Sequence, residues 1–396
     1  MGDEQPGVPA IPPKMEVGYN YPWAFNKYGT HIGPRDLENE PPTGAHSDVA
    51  VFRDVNSQPP EGSLARNLTF IRDELKIKKV RMFILGNCWN YGARPLVSKG
   101  VFFVPDLDKP AGNLLFGKHF REMLQVFAAK EMQIIPSLID FGAFYELDPF
   151  DTKTSKFLGA GSGRTEIARK GRFKFLKTMF KTLLDISNEP GLSKTIFAWE
   201  VINEPRWNLV DVELPIIPIA VRRRPHTTTH GQDLGLTEMS VFIQDALEMI
   251  KDAGFQSTVG HRFLGDLPDM PVGTMPQFHY YSLQVPLIAQ VAIPGDPASI
   301  PPFASLTGPA QGAFVGEFHS AVDRPWQDCG GADNSLRTAT FERLKVLARK
   351  GYKLAFVWPD GGDEAKVNSE DALKLSPDSI ESIKQFTRGL FPNGVP

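Results

Sequence analysis

The chain has 396 residues, 22% of them charged and 41% hydrophobic, with a formal net charge of −3. This balance fits a protein with a sizeable core, and it gives no general attraction to nucleic acid or an anionic membrane surface. No apolar run approaches the ~20 residues of a membrane span, and two cysteines, Cys88 and Cys329, imply no disulfide framework: they either pair or are free thiols.

Met1 to Pro13 is rich in proline and glycine and has no basic-then-apolar leader. Residues 1–14 therefore read as a flexible N-terminal segment and 15–396 as one folded unit. A cytosolic protein and a secreted one whose leader has been removed look alike here. Nor does the sequence signal an oligomeric state.

Eight short, nearly continuously apolar runs follow: Val17–Trp23, Lys79–Gly86, Met132–Asp140, Thr195–Glu204, Ser257–Phe263, Gln277–Leu283, Ala313–His319 and Leu354–Trp358. Such runs suit parallel strands covered on both sides. Helical stripes alternate with them. Phe120, Met123, Leu124 and Phe127 form one; Phe173, Leu176, Phe180, Leu183 and Leu184 a second; Leu236, Met239, Ile243, Leu247 and Ile250 a third, closed by Gly254 as a C-cap. The alternation predicts an α/β fold, a single (β/α)8 TIM barrel. A doubly wound sheet is the alternative, but no Gly-x-Gly-x-x-Gly follows the first strand.

The connections are unequal. Helix-to-strand links such as Ala253–Gln256 and Lys350–Tyr352 are short, whereas the strand-to-helix links are long: 24–62, 87–112, 141–163, 206–235 and 284–312. Long loops in a compact chain usually carry function, and these all fall on the carboxyl-terminal face of the barrel. One of them holds Arg222-Arg223-Arg224, read as a solvated charge run. His226 and His230 share that Pro/Thr-rich loop and lack the spacing of helical metal ligands, so no metal or other cofactor is expected.

Two strands end in glutamate: Trp199-Glu200-Val201-Ile202-Asn203-Glu204-Pro205 and Phe314-Val315-Gly316-Glu317-Phe318-His319. A carboxylate ending an apolar strand is costly unless paired or used. Glu204 on the fourth strand and Glu317 on the seventh would face each other across the barrel mouth. Paired carboxylates are what glycosidic bond cleavage requires, one as proton donor and one as nucleophile or base. A rim ion pair is the other use for either glutamate. Asn188-Glu189-Pro190 repeats the tripeptide but lies between a helical stripe and a strand, on the opposite face, where a helix stop is expected. The tripeptide means little without the strand that runs into it.

Ala-Trp-Glu-Val-Ile-Asn-Glu-Pro-Arg resembles the acid/base strand of clan A retaining glycoside hydrolases, family 5 and its near relatives, and Gly316-Glu317-Phe318 their nucleophile strand. The resemblance covers residues 17–360. It implies Glu204 as general acid/base, Glu317 as nucleophile and Asn203 as a ligand of the sugar 2-hydroxyl. Arg81, in Val80-Arg81-Met82-Phe83, matches the arginine that supports the nucleophile. His279 and Tyr281 match a His-x-Tyr pair, in which the tyrosine donates to the nucleophile and the histidine lines the cleft. Trp358 matches the tryptophan flooring the −1 sugar, with a cis bond to Pro359 an open possibility.

Where many members carry a histidine near the end of the third strand, this chain has Asp140, which would take over a sugar-hydroxyl contact. Among loop aromatics suited to sugar faces are Trp23, Tyr91 and Tyr145, with Trp89, Trp207 and Trp326 the candidates just past strand ends. The expected partner is an oligo- or polysaccharide, with β-1,4-mannan or β-glucan first. An exo-acting β-glycosidase, a transglycosylase or a non-catalytic sugar-binding barrel stand as alternatives.

Overall fold

The computed structural model describes residues 15–22, 64–85, 110–140, 175–205, 236–280, 300–319, 339–359, 375 and 377–389. Eight parallel strands close a barrel in sequential order: β1 Glu16–Asn20, β2 Lys79–Leu85, β3 Gln133–Asp140, β4 Trp199–Asn203, β5 Ser257–His261, β6 Gln277–Tyr280, β7 Phe314–His319 and β8 Leu354–Trp358. β8 pairs back onto β1. All eight expected strands exist, and β1, β4 and β5 end earlier than hydropathy suggests. The fourth also begins later, because Ser193–Thr195 forms a 3-10 turn ahead of it.

Around the barrel lie α1 Leu64–Asp73, α2 Pro110–Ala129, α3 (a π-helical segment, Phe175–Phe180, continuing as Lys181–Ser187), α4 Leu236–Asp252, α5 Ala339–Arg349 and α6 Pro377–Arg388. The described crossover elements after β5 and β6 are short 3-10 turns, including Leu264–Asp269 and Phe303–Ser305. The N-terminal segment 1–14 lies outside the described residues. No helix among them is long and apolar enough to cross a membrane.

The short helix-to-strand links share one stop. Gly254 takes φ +83°, its N–H bonds Lys251 O at 2.9 Å, and the N–H of Phe255 reaches Ile250 O at 3.1 Å. This is the paired hydrogen bonding of a Schellman cap, and it recurs at Gly351 after α5. Such turns bring the chain straight back into the barrel.

Outward strand residues such as Val80, Met82, Ile84, Trp199 and Val201 pack with the helices in the main core. Trp199 is fully buried between Phe120 of α2 and Phe180 of α3, ring centroids 5.6 and 5.3 Å away, which clamps β4 from outside. Inside the barrel a second apolar cluster, Ile135, Phe314, Leu354 and Phe356, plugs the floor. Polar side chains of the inner strand faces lie above it.

Candidate active site

Arg81 organises the polar layer. It is 1% exposed, and each of its five N–H donors has an acceptor. Nε and Nη2 grip the two oxygens of Glu200, both at 2.6 Å. Nη2 also donates to Asn203 Oδ1 at 2.7 Å, and Nη1 to Asn20 Oδ1 at 3.0 Å and Glu317 Oε1 at 2.5 Å. A planar fork filled this way fixes the geometry of everything it holds.

Glu200 is completely buried and fully engaged. Oε1 accepts from Arg81 and from Ser137 Oγ at 2.7 Å, while Oε2 accepts from Arg81 and from Gln277 Nε2 at 2.9 Å. Burial pushes its carboxyl up, but the charge and hydrogen bonds of Arg81, with that of Ser137, outweigh this and hold it below the ordinary carboxylate range. Burial would also lower Arg81, and the two carboxylates Glu200 and Glu317 raise it instead.

Strict alternation along β4 would put Glu200 and Asn203 on opposite faces, since three is an odd separation. The ladder to β5 is irregular between these two residues, and the bulge lets both reach Arg81. A second irregularity, between Phe278 and His279, sets His279 opposite Glu317. Arg81 is thus met from both sides of the barrel by strands that break their pleat at the site.

Glu204 sits immediately past β4 with φ +46°, a left-handed conformation that glutamate rarely adopts. Its N–H bonds Gly260 O at 2.6 Å. Its carboxylate, on a side chain 14% exposed, meets His279 Nδ1 at 2.7 Å through Oε1. His279 Nδ1 also lies 3.4 Å from Glu317 Oε2. Burial pulls the His279 imidazole down to about 4, against the opposing pull of Glu317, so it is neutral near pH 7. One ligand atom from each of Glu204, His279 and Glu317 lies within 4.8 Å of the others.

That trio has the donor set to hold a divalent cation, although the Arg81 guanidinium on Glu317 opposes one. The arrangement suits acid–base work between two carboxylates better. It offers one carboxylate, Glu317, held by a cation and, across a short gap, a second, Glu204, held by a neutral imidazole.

Of the residues expected from sequence, Arg81, Asn203, Glu204, His279 and Glu317 come together here. Arg81 does contact Glu317, but its two-pronged partner is Glu200. Trp358 ends β8, its ring 6.4 Å from that of Phe83, and Phe83 in turn lies under the Arg81 guanidinium at 5.3 Å. The bond from Trp358 to Pro359 is not cis, for no cis peptide occurs among the described residues. Asp140 ends β3 beside Asn203 in the ladder. Trp23, Cys88, Trp89, Tyr91, Tyr145, Trp207, the 222–230 loop, Tyr281, Trp326 and Cys329 lie outside the described residues.

Sequence reasoning passed over Asn20, Ser137, Glu200 and Gln277. The signal for Glu200 was available: a charge inside an apolar strand needs a buried partner, and Arg81 posed the same demand. Gln277 shares the face of His279 by simple alternation.

No protein-family model and no curated sequence matches the chain. Solved structures do share its fold. β-1,4-D-mannanase from Cryptopygus antarcticus aligns over 94% of this chain and 90% of its own, at 12% identity and a TM-score of 0.55. Endo-1,4-β-mannanase from Eisenia fetida aligns over 95% and 91%, at 13% identity and 0.53. An exo-β-1,4-mannosidase from an Opitutaceae bacterium aligns over 96% of this chain and 62% of its own, at 13% and 0.51. At such identities the likeness establishes the (β/α)8 barrel.

Proposed function

We propose that this chain is a retaining β-glycoside hydrolase of the family 5 kind, cleaving a β-linked glycan by double displacement. The observation that carries the reading is the gap between the two carboxylates. An oxygen of Glu204 and one of Glu317 lie within 4.8 Å of each other, a close approach that favours the ~5 Å separation of retaining enzymes over the ~6.5–9.5 Å of inverting ones. Arg81 holds one oxygen of Glu317 and aims the carboxylate as nucleophile. Glu204 donates its proton to the leaving oxygen as Glu317 attacks the anomeric carbon. Glu204 then takes a proton from the water that hydrolyses the glycosyl-enzyme. Arg81 fixes Asn203 Oδ1, so the amide NH2 is the end turned toward a sugar hydroxyl. Trp358 floors the −1 sugar.

Mannan is the first substrate to try, since mannanases are among the barrels that share the fold. An exo-acting enzyme is the second reading, favoured by the exo-mannosidase among them. A panel of mannan, β-glucan, xylan and aryl β-glycosides, with product lengths followed in time, separates these. A 2-fluoro-glycosyl adduct trapped on Glu317 and found by mass spectrometry is the expected result. Its appearance on another residue, or turnover that a chelator abolishes, would sink the mechanism.

A further inference from the structure

Below the two glutamates, each hydrogen bond dictates the direction of the next. Arg81 can only donate, so Glu200 accepts from it through both oxygens and, ionised, has no proton to give. Gln277, fully buried, lies 2.9 Å from Glu200 Oε2 and must turn its amide NH2 toward it. The reversed amide would set two acceptor oxygens against each other. Gln277 Oε1 takes the Thr258 hydroxyl at 3.2 Å. The same NH2 reaches His279 Nε2 at 3.4 Å, so that nitrogen accepts and carries no proton. The proton of the neutral ring is then on Nδ1, which faces carboxylate oxygens of Glu204 at 2.7 Å and Glu317 at 3.4 Å.

The geometry points to Gln277 as a positioning residue that fixes the tautomer of His279 and, through it, the oxygen of Glu204 that bears the catalytic proton. With Nδ1–H donating to Oε1, the acid proton of Glu204 sits on Oε2. The opposite tautomer would present a lone pair at Nδ1 and draw that proton toward the histidine, away from a leaving group. The site is built around the amide: a Cβ at Gly316 would come within 2.1 Å of Gln277 Nε2, so β7 carries the one residue that leaves it room. The role rests on Glu204 being the acid/base.

Histidine-selective 15N labelling and NMR of the full chain reads the tautomer directly. His279 is assigned among the 8 histidines by the signals lost in His279→Gln. The wild-type ring is expected neutral with its proton on Nδ1. Gln277→Glu is expected to carry a proton of its own toward Glu200 Oε2 and to turn a lone pair to His279 Nε2, placing the ring proton there. Gln277→Met removes the donor at nearly constant volume. It is expected to shift the Nε2 signal and to lower kcat/KM roughly tenfold on aryl β-glycosides with poor leaving groups, part of the ~10²–10⁴-fold that acid catalysis contributes, while sparing activated ones.

A wild-type proton on Nε2, signals unmoved by either substitution, or an equal loss on both classes of leaving group would overturn the inference. Should Gln277→Glu not fold, the wild-type and Gln277→Met spectra still decide. The functional reading fails separately: if Glu204→Gln kept its rate, the assigned reaction would fall whatever the tautomer.

Discussion

Asn-Glu-Pro occurs at residues 188–190 and at 203–205, at opposite ends of the barrel, and the two glutamates have little else in common. Glu189 follows α3. Its N–H closes a helix stop on Ile186 O, and its carboxylate takes a two-pronged ion pair from Arg121, with both side chains more than a third exposed. Glu204 is 14% exposed, in a left-handed backbone conformation, and held by a buried neutral histidine. The tripeptide encodes a break in regular structure in both places. The element that runs into it, helix or strand, decides whether the carboxylate faces water or the barrel interior.

The largest effect separates the two directly. Glu204→Gln and Glu317→Gln are expected to cut turnover of aryl β-glycosides by a factor on the order of 10³ or more, equivalent to at least ~4 kcal/mol of barrier. Glu189→Gln should leave steady-state rates unchanged. Circular dichroism would establish that all three variants fold. A rate loss at Glu189, or none at Glu204, would dissolve the distinction.

The arginines should differ similarly. Arg81→Met leaves Glu200 and Glu317 buried beside an apolar group, which should cost about 3–5 kcal/mol of folding stability in urea titrations. Arg121→Met removes the exposed counterpart, for which ~1 kcal/mol or less is expected.

Acid is a third way to pull the regions apart. Burial holds His279 at about 4, with Glu317 opposing, and burial with a smaller part from Lys118 holds His119 of α2 at about 4. Both values lie below the 6.5 of a free imidazole, so between these limits the unfolded chain binds more protons. Stability is therefore full above pH 6.5 and drains as pH falls toward 4, by up to about 3 kcal/mol per histidine. Arg121 lowers Glu189 through a hydrogen bond and its charge, so that carboxylate contributes above its ordinary value of 4.5 and is lost only below it. Urea midpoints measured at pH 7 and 5 should thus register His119 and His279 and not Glu189. His279→Gln should remove about half of the dependence, leaving that of His119, and Glu189→Gln should not change it.

What the sequence disclosed follows the same division. Strands, helical stripes and the glycine stop at Gly254 are local patterns, and the described residues reproduce them, Phe173 of the second stripe lying outside those residues. Glu204 was legible because it ends an apolar run, and Glu317 because it is a charge within one, two residues before the end of β7. Glu200 and Gln277 were not singled out, because their meaning lies in partners on other strands: Glu200 needs Arg81 from 119 positions away, and Gln277 needs the gap left by Gly316. The bulges on β4 and at the β6–β7 pairing also break the alternation on which facing is read. Register is a property of the pair of strands, so a single run cannot announce it.

The smallest effect tests the backbone itself. Glu204 at φ +46° bears a strain of roughly 1–2 kcal/mol, the usual excess for a non-glycine residue in the left-handed region. Glycine removes that strain but adds about 0.5–1 kcal/mol of unfolded-state entropy. Glu204→Gly also loses the hydrogen bond from His279, worth about 1 kcal/mol, so it should abolish turnover yet leave the urea midpoint nearly unchanged. Glu189 is not among the residues with positive φ, so Glu189→Gly meets the entropy with no relief and also loses Arg121. Its midpoint should fall. A midpoint that falls at Glu189 and holds at Glu204 would mean that the strand-end copy of the tripeptide stores backbone strain. Equal losses would mean that the left-handed turn at Glu204 costs nothing there.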